Sequence, residues 1–226
     1  SINRIANSYL WATFLNATTI VVHPGSYEGL QKRKEPDLSI MLKGKSAHAA
    51  KEEKIKELMK KISKGMKLGK ELAFEKFPEL KNKFNNILLA PETMGKHGQL
   101  GTVDEVIYIC KEVGIDLAQP CIDFGHLYAR SLGKKKGRKL YEEVLSRVED
   151  ELGTDVVKNL HIHYSKIEFT DKGESKHVPN TNPHWGPEID PLFEICLEQD
   201  FTPTIINESP ELEPDAKILI DKWNKL

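Results

Sequence analysis

The sequence predicts an α/β fold, a TIM (β/α)8 barrel of which the chain covers about the last five βα units. Two observations carry that expectation. First, five separate apolar runs each end in a metal-ligand residue. TTIVVH ends in His23, NILLAPE in Glu92, PCID in Asp123, NLHIH contains His161, and PTIINE ends in Glu208. Runs of this length rich in Ile, Val and Leu read as buried parallel strands. A ligand at the end of strand after strand is how the C-terminal rim of such a barrel is furnished. Second, the runs alternate with helical segments, which implies a parallel sheet with right-handed crossovers.

Taken in order, 3–16 places Ile5, Leu10, Trp11 and Phe14 on one helical stripe. The strand TTIVVH follows. Segment 51–68 is helical, with a possible second helix over 70–83. Then come a strand at 86–91, a helix at 102–114, a strand at 117–123, a helix at 138–151 and a strand at 157–163. A helix at 187–199, a strand at 203–208 and a helix at 211–225 finish the chain. Thr102 suits a helix N-cap and Gly114 a C′ residue. A closed barrel needs eight strands, so ~three βα units are expected upstream of Ser1. The alternative is a flavodoxin-like open sheet, which needs only five.

The chain is read as one domain, 1–226, with a lysine-rich helical insertion at 42–83 holding thirteen Lys against six Glu. A solvated helical face explains that segment best; a phosphate-contacting patch is the sharper reading. The tract KKKGRK at 134–139 follows the Asp123/His126 rim and is a second candidate for a polyanion. With 226 residues and a net charge of -1, no whole-molecule field draws in nucleic acid, so any basic surface is local. No run approaches ~18 apolar residues, so no membrane span is expected. Cys110, Cys121 and Cys196 sit in apolar contexts and read as buried free thiols of a reducing compartment, with cytoplasm the default.

Imidazole and carboxylate donors without thiolate suit Zn²⁺, Mn²⁺ or Fe²⁺. The loop after the fourth strand adds Glu174 and His177. His161 and His163 share a parity and project to the same side; His161 is the expected ligand, His163 the structural one. About seven candidates exceed what one cation requires, so a cluster of two or three ions is implied, with Glu92 or Asp123 able to bridge. Such clusters serve phosphoryl displacement and also aldose–ketose isomerisation. His48 and His97 read as surface histidines, and His184 and Trp185 as loop packing.

HPGS at 23–26, ETMG at 92–95, CIDFGH at 121–126, HIHYSK at 161–166 and INES at 206–209 resemble, in order and spacing, the endonuclease IV family of apurinic/apyrimidinic endonucleases. The resemblance covers nearly the whole chain. It implies a zinc-dependent endonuclease that hydrolyses the phosphodiester 5′ to abasic sites in double-stranded DNA, using water activated by up to three zinc ions. His23 and Glu92 would hold the first zinc, with Glu92 bridging to the second. Asp123, His161 and Glu208 would complete the second, and His126 and His177 the third. Glu92 and Glu208 are the expected catalytic carboxylates. The chain departs from the family in four places. The family's upstream zinc-binding His has no counterpart here. Ser175 stands where the family has a zinc-binding Asp, with Glu174 beside it as substitute. His177–Val178 replaces a histidine pair. The stretch from His23 to Glu92 is long, and 42–83 fills the excess. A divalent-metal sugar isomerase or epimerase and a non-catalytic nucleic-acid-binding fragment are the alternatives.

Overall fold

The computed structural model describes residues 2–27 and 49–226, with the side chains of 49–51 set aside. The helix at the start is α1, Ile2–Phe14, followed by β1, Thr19–Val22. Next come α2, Ala49–Lys76, a 3-10 turn at Pro78–Leu80, α3, Lys81–Asn85, and β2, Leu88–Pro91. Then follow α4, Val103–Val113, β3, Cys121–Asp123, α5, Phe124–Arg130, α6, Arg138–Leu152, and α7, Thr154–Lys158. The chain continues with β4, His161–Tyr164, β5, Lys166–Thr170, β6, Gly173–Val178, α8, Asp190–Glu198, β7, Thr204–Asn207, and α9, Glu213–Trp223.

Five strands form one parallel arc. β1 pairs with β2, β3 with β4, and β4 with β7. Parallel bridges Leu89–Ala118 and Glu92–Cys121 join β2 to β3. The spatial order β1-β2-β3-β4-β7 therefore follows the chain without reversal. A flavodoxin-like sheet reverses at a switch point, so the order is that of a barrel wall. Among the described residues β1 and β7 each have a single strand partner, and Ile206 on β7 is 41% exposed.

Local chemistry explains the helices. Thr102 accepts from the Glu105 amide and Glu105 reaches back to the Thr102 amide, a capping box that starts α4. On α6, Leu140, Tyr141, Val144, Leu145, Val148 and Leu152 are buried at helical spacing. α2 runs unbroken where the sequence suggests two helices. Its buried stripe of Ile55, Leu58, Met59, Met66 and Ala73 continues past the expected break, and Pro78, beyond its end, sits in the following turn. Its exposed face carries Lys54, Lys56, Lys60, Lys61, Lys64 and Lys67. The first part of the expected insertion, 42–48, lies outside the described residues, as does His48.

Two expectations change. Val157, read as the start of a strand, falls in the single turn α7, where it and Val156 are buried. The segment after β4, read as a loop, is the antiparallel hairpin β5–β6, with Gly173 at φ 91 following its Asp171–Lys172 link. No described helix is long and apolar enough to cross a membrane.

Candidate metal centre

The strand ends converge on one rim. Glu92 follows β2, Asp123 ends β3, His163 lies in β4 and Glu208 follows β7. Register brings them together: Asp123 is paired with His163, and the residue after Tyr164↔Asn207 is Glu208. One donor atom from each of Glu92, Asp123, His163 and Glu208 lies within 4.8 Å of the others.

The D-x-x-H motif explains its own geometry. α5 begins directly after β3, so Asp123 is its N-cap and His126 its third residue. Asp123 Oδ1 accepts the His126 amide at 2.7 Å. That bond fixes the carboxylate and leaves Oδ2 buried without a hydrogen bond among the described residues. The Asp123 amide donates to Thr93 Oγ1 at 2.9 Å. Gly125 lets α5 sit this close: a Cβ there would lie 2.5 Å from the Ser165 carbonyl oxygen. His126 Nδ1 lies 2.9 Å from the Thr93 carbonyl. Donation from Nδ1 leaves Nε2 as the lone-pair nitrogen, the arrangement that orients an imidazole toward a metal.

The imidazoles and carboxylates of the rim shift one another's basicity. His163 Nδ1 sits 3.1 Å from Glu92 Oε1 and 3.0 Å from Glu208 Oε1. Burial opposes its charge, yet hydrogen bonds to Cys121, Glu208 and Glu92 prevail and lift it to about 12. Burial pushes Glu92 up, but His163, His23 and His126 outweigh that and hold it at about 2. Glu208 is lowered, chiefly by its hydrogen bond to His163. Asp123 is raised by burial, against the pull of His126. His126 is raised: burial works against its charge, and Asp123, Glu92 and Glu174 overcome it. The buried Asp123 Oδ2, which accepts no hydrogen bond among the described residues, and the mixed oxygen and nitrogen donors fit a divalent ion such as zinc or manganese.

A second group adjoins the first. Donor atoms of His126, Glu174 and His177 also lie within 4.8 Å of one another. The β5–β6 hairpin delivers Glu174 and His177 opposite α5. His126 spans the two groups: its Nδ1 is 3.4 Å from both Glu92 Oε1 and Asp123 Oδ2, and its Nε2 is 3.5 Å from Glu174 Oε2. The His177 ring stands edge-on to His126 at 5.6 Å, with Nδ1 at 2.7 Å from Ser165 Oγ. The loop between Met94 and Gln99 covers this group. Arg130 pins it by donating to the carbonyls of Met94, Lys96 and Gln99.

Of the residues expected from the sequence, Glu92, Asp123, His126, Glu174, His177 and Glu208 fall into these two groups. His23 stands at the edge, 65% exposed, with Nε2 3.0 Å from Glu92 Oε2. His161 does not join Glu92, Asp123 and Glu208; His163 takes that place. His161 groups instead with Cys121 and His163, and burial lowers its basicity. His97 is not a surface residue: it is 6% exposed, with Nε2 2.8 Å from the Arg130 carbonyl. Trp185 packs edge-on against Phe169 at 5.0 Å, while His184 is exposed. All three cysteines are free and buried.

Comparison with known proteins places this geometry in a family. The model of the xylose isomerase-like TIM barrel family matches residues 2–226, and the chain belongs to that family. The uncharacterized protein MJ0133 of Methanocaldococcus jannaschii is 38% identical over 141 residues, 62% of this chain and 50% of that protein. The chain thus spans about half the length of the curated relative it matches. A D-tagatose 3-epimerase-like protein superposes over 99% of this chain and 68% of its own, with TM-score 0.58 and 15% identity. The 3-keto-D-glucoside 4-epimerase YcjR from E. coli does so over 99% and 69%, with TM-score 0.56 and 13% identity. At those identities the likeness is one of fold. Endonuclease IV from Thermus thermophilus covers 98% of this chain and 95% of its own at TM-score 0.44 and 12% identity, too loose to weigh for activity.

Proposed function

We propose that this xylose isomerase-like barrel is a divalent-cation-dependent phosphodiester hydrolase, with zinc as its ion and abasic sites in double-stranded DNA as its substrate. The observation that carries this reading is the second donor group, His126, Glu174 and His177, one imidazole away from the first. A one-cation sugar isomerase has no use for it. Two or more bound cations would activate water and neutralise the attacking and leaving oxygens of an in-line displacement.

The chain's own residues do the rest. Glu92 is the carboxylate able to bridge two cations, because Oε1 reaches toward His163 in the central set while Oε2 reaches toward His23 at its edge. Glu208, 32% exposed in its side chain, is the member of the central set that meets solvent, and we assign it to hold the proton of the attacking water. Thr93 orients His126 through its carbonyl and Asp123 through its hydroxyl. Lys96 and Lys176 border the second group with exposed side chains and are the candidate phosphate contacts. In the tract at 134–139, Lys135, Arg138 and Lys139 pair with acidic side chains of this chain, as Lys96 and Lys176 do with Glu174 and Glu168.

The test is incision of a duplex containing a tetrahydrofuran abasic analogue by zinc-loaded protein. Cleavage on the 5′ side, abolished by EDTA and restored by zinc, is the expected result. A second reading, a sugar epimerase, draws on the central set being sufficient for one cation by itself. Epimerisation of free ketoses with no incision would establish that reading in place of the first. Salt-sensitive duplex binding without turnover of either substrate would refute both and leave a nucleic-acid-binding barrel.

A further inference from the structure

We propose that Cys121, His161 and His163 form a third cation site, one layer deeper than the carboxylate set and selective for borderline and soft ions such as Zn²⁺, Co²⁺ and Cu⁺. It goes beyond the proposed hydrolase and does not depend on it.

The placement follows from strand register. Cys121 is paired with His161, and Asp123 with His163, on adjacent parallel strands. Successive side chains alternate faces, so all four share the interior face, and Cys121 and His161 sit two residues deeper. The Cys121 sulfur, a His161 nitrogen and a His163 nitrogen lie within 4.8 Å of one another. Cys121 is fully buried. Among the described residues the His161 ring nitrogens make no hydrogen bond, and the neighbouring ring of His163 lies 5.3 Å away. A half-buried imidazole whose nitrogens bond to no group among the described residues, set beside a buried thiol and a second imidazole, presents its lone pair to the same space as the sulfur.

The donor chemistry differs from that of the rim. Thiolate and imidazole favour Zn²⁺, Co²⁺ and Cu⁺, whereas carboxylates also accept Mn²⁺ and Mg²⁺. On binding, the sulfur–metal bond forms as the thiol proton leaves for solvent. His163 belongs to both sets, its Nδ1 facing Glu92 and Glu208. Occupancy of the deeper site therefore bears on the rim site, and Cys121 makes the choice of ion a property of this strand.

The experiment is titration of the chelator-stripped full chain with Co²⁺ in the absence of oxygen. A near-ultraviolet thiolate-to-cobalt charge-transfer band is expected. It should vanish in Cys121→Ser and persist in Cys110→Ser and Cys196→Ser. His161→Gln should weaken the binding that produces the band about tenfold or more, the scale seen when a metal site loses an orienting group. Bound cobalt with no such band in the wild-type chain, or a band that survives Cys121→Ser, overturns the proposal. If Cys121→Ser does not fold, X-ray absorption of the zinc-loaded wild type decides. Zinc–sulfur scattering at about 2.3 Å supports the site, and its absence refutes it. None of these readouts requires DNA cleavage, so failure to incise would leave the result standing.

Discussion

Replacing Gly95 by alanine isolates the second donor group without altering any donor. A Cβ at Gly95 would stand 2.6 Å from the Glu174 Cβ and 2.9 Å from its Oε2, with His126 Cδ2 at 3.2 Å. The neighbours that must move are therefore Glu174, a proposed ligand, and the imidazole it faces. Retreat of the loop is resisted, because Arg130 holds three of its carbonyls and the Gly95 carbonyl accepts the Glu174 amide at 3.2 Å. Overpacking of this kind costs about 1–3 kcal/mol. Displacement of a ligand or its support lowers metal affinity about 10–100-fold. Competition with a graded series of chelators should show loss of the more weakly held zinc of the second group. The zinc held by Glu92, Asp123, His163 and Glu208 should stay within about threefold of its wild-type affinity, since that set is not touched. Unchanged affinity and stoichiometry in a folded Gly95→Ala protein would mean that Glu174 does not serve a cation.

Other outcomes follow from the same geometry. His163→Asn should lower manganese affinity by about 100-fold or more, the upper end of losses around metal sites, while His161→Asn should leave it nearly unchanged; calorimetric titration with Mn²⁺ checks both, and the reverse ranking would restore His161 to the rim. Metal affinity should rise with pH. The metal-free His163 is lifted to about 12, so near neutrality a cation must displace its proton, and the apparent affinity gains about tenfold per pH unit while one proton is released. The metal-free fold should also lose stability in acid: Glu92 is held at about 2 against 4.5 unfolded, so its contribution, about 3 kcal/mol, is complete above pH 4.5 and disappears as pH falls through about 2. Chemical denaturation of the stripped protein across that range measures it, and a flat profile would contradict the charge balance described for the site.

Much of this was legible in the residues because the relevant forces are local. The strand runs declared themselves by composition, and Asp123 with His126 by the N-cap spacing that fixes both at the end of β3. The capping box at Thr102 and the amphipathic faces of α4 and α6 did likewise. What failed depended on depth or on distant partners. Parity puts His161 and His163 on one face, but only the register with β3 and β7 decides which one meets Glu92 and Glu208. The β5–β6 hairpin had a turn signal in Asp171–Lys172–Gly173, yet its ligands invited a loop reading. Val157 reads as the start of a strand because a buried valine serves a helical turn equally well. His97 looked exposed because nothing in its neighbourhood of sequence announces the Arg130 carbonyl, 33 positions away.

The central claim is that two adjoining donor groups at one rim each hold a cation. Anomalous diffraction at the zinc edge from crystals of the loaded protein tests it most directly. The account predicts one peak within bonding distance of Glu92, Asp123, His163 and Glu208, and a separate peak within bonding distance of His126, Glu174 and His177. Anomalous signal at the first group alone, with the second group ligating nothing at saturating zinc, would contradict it.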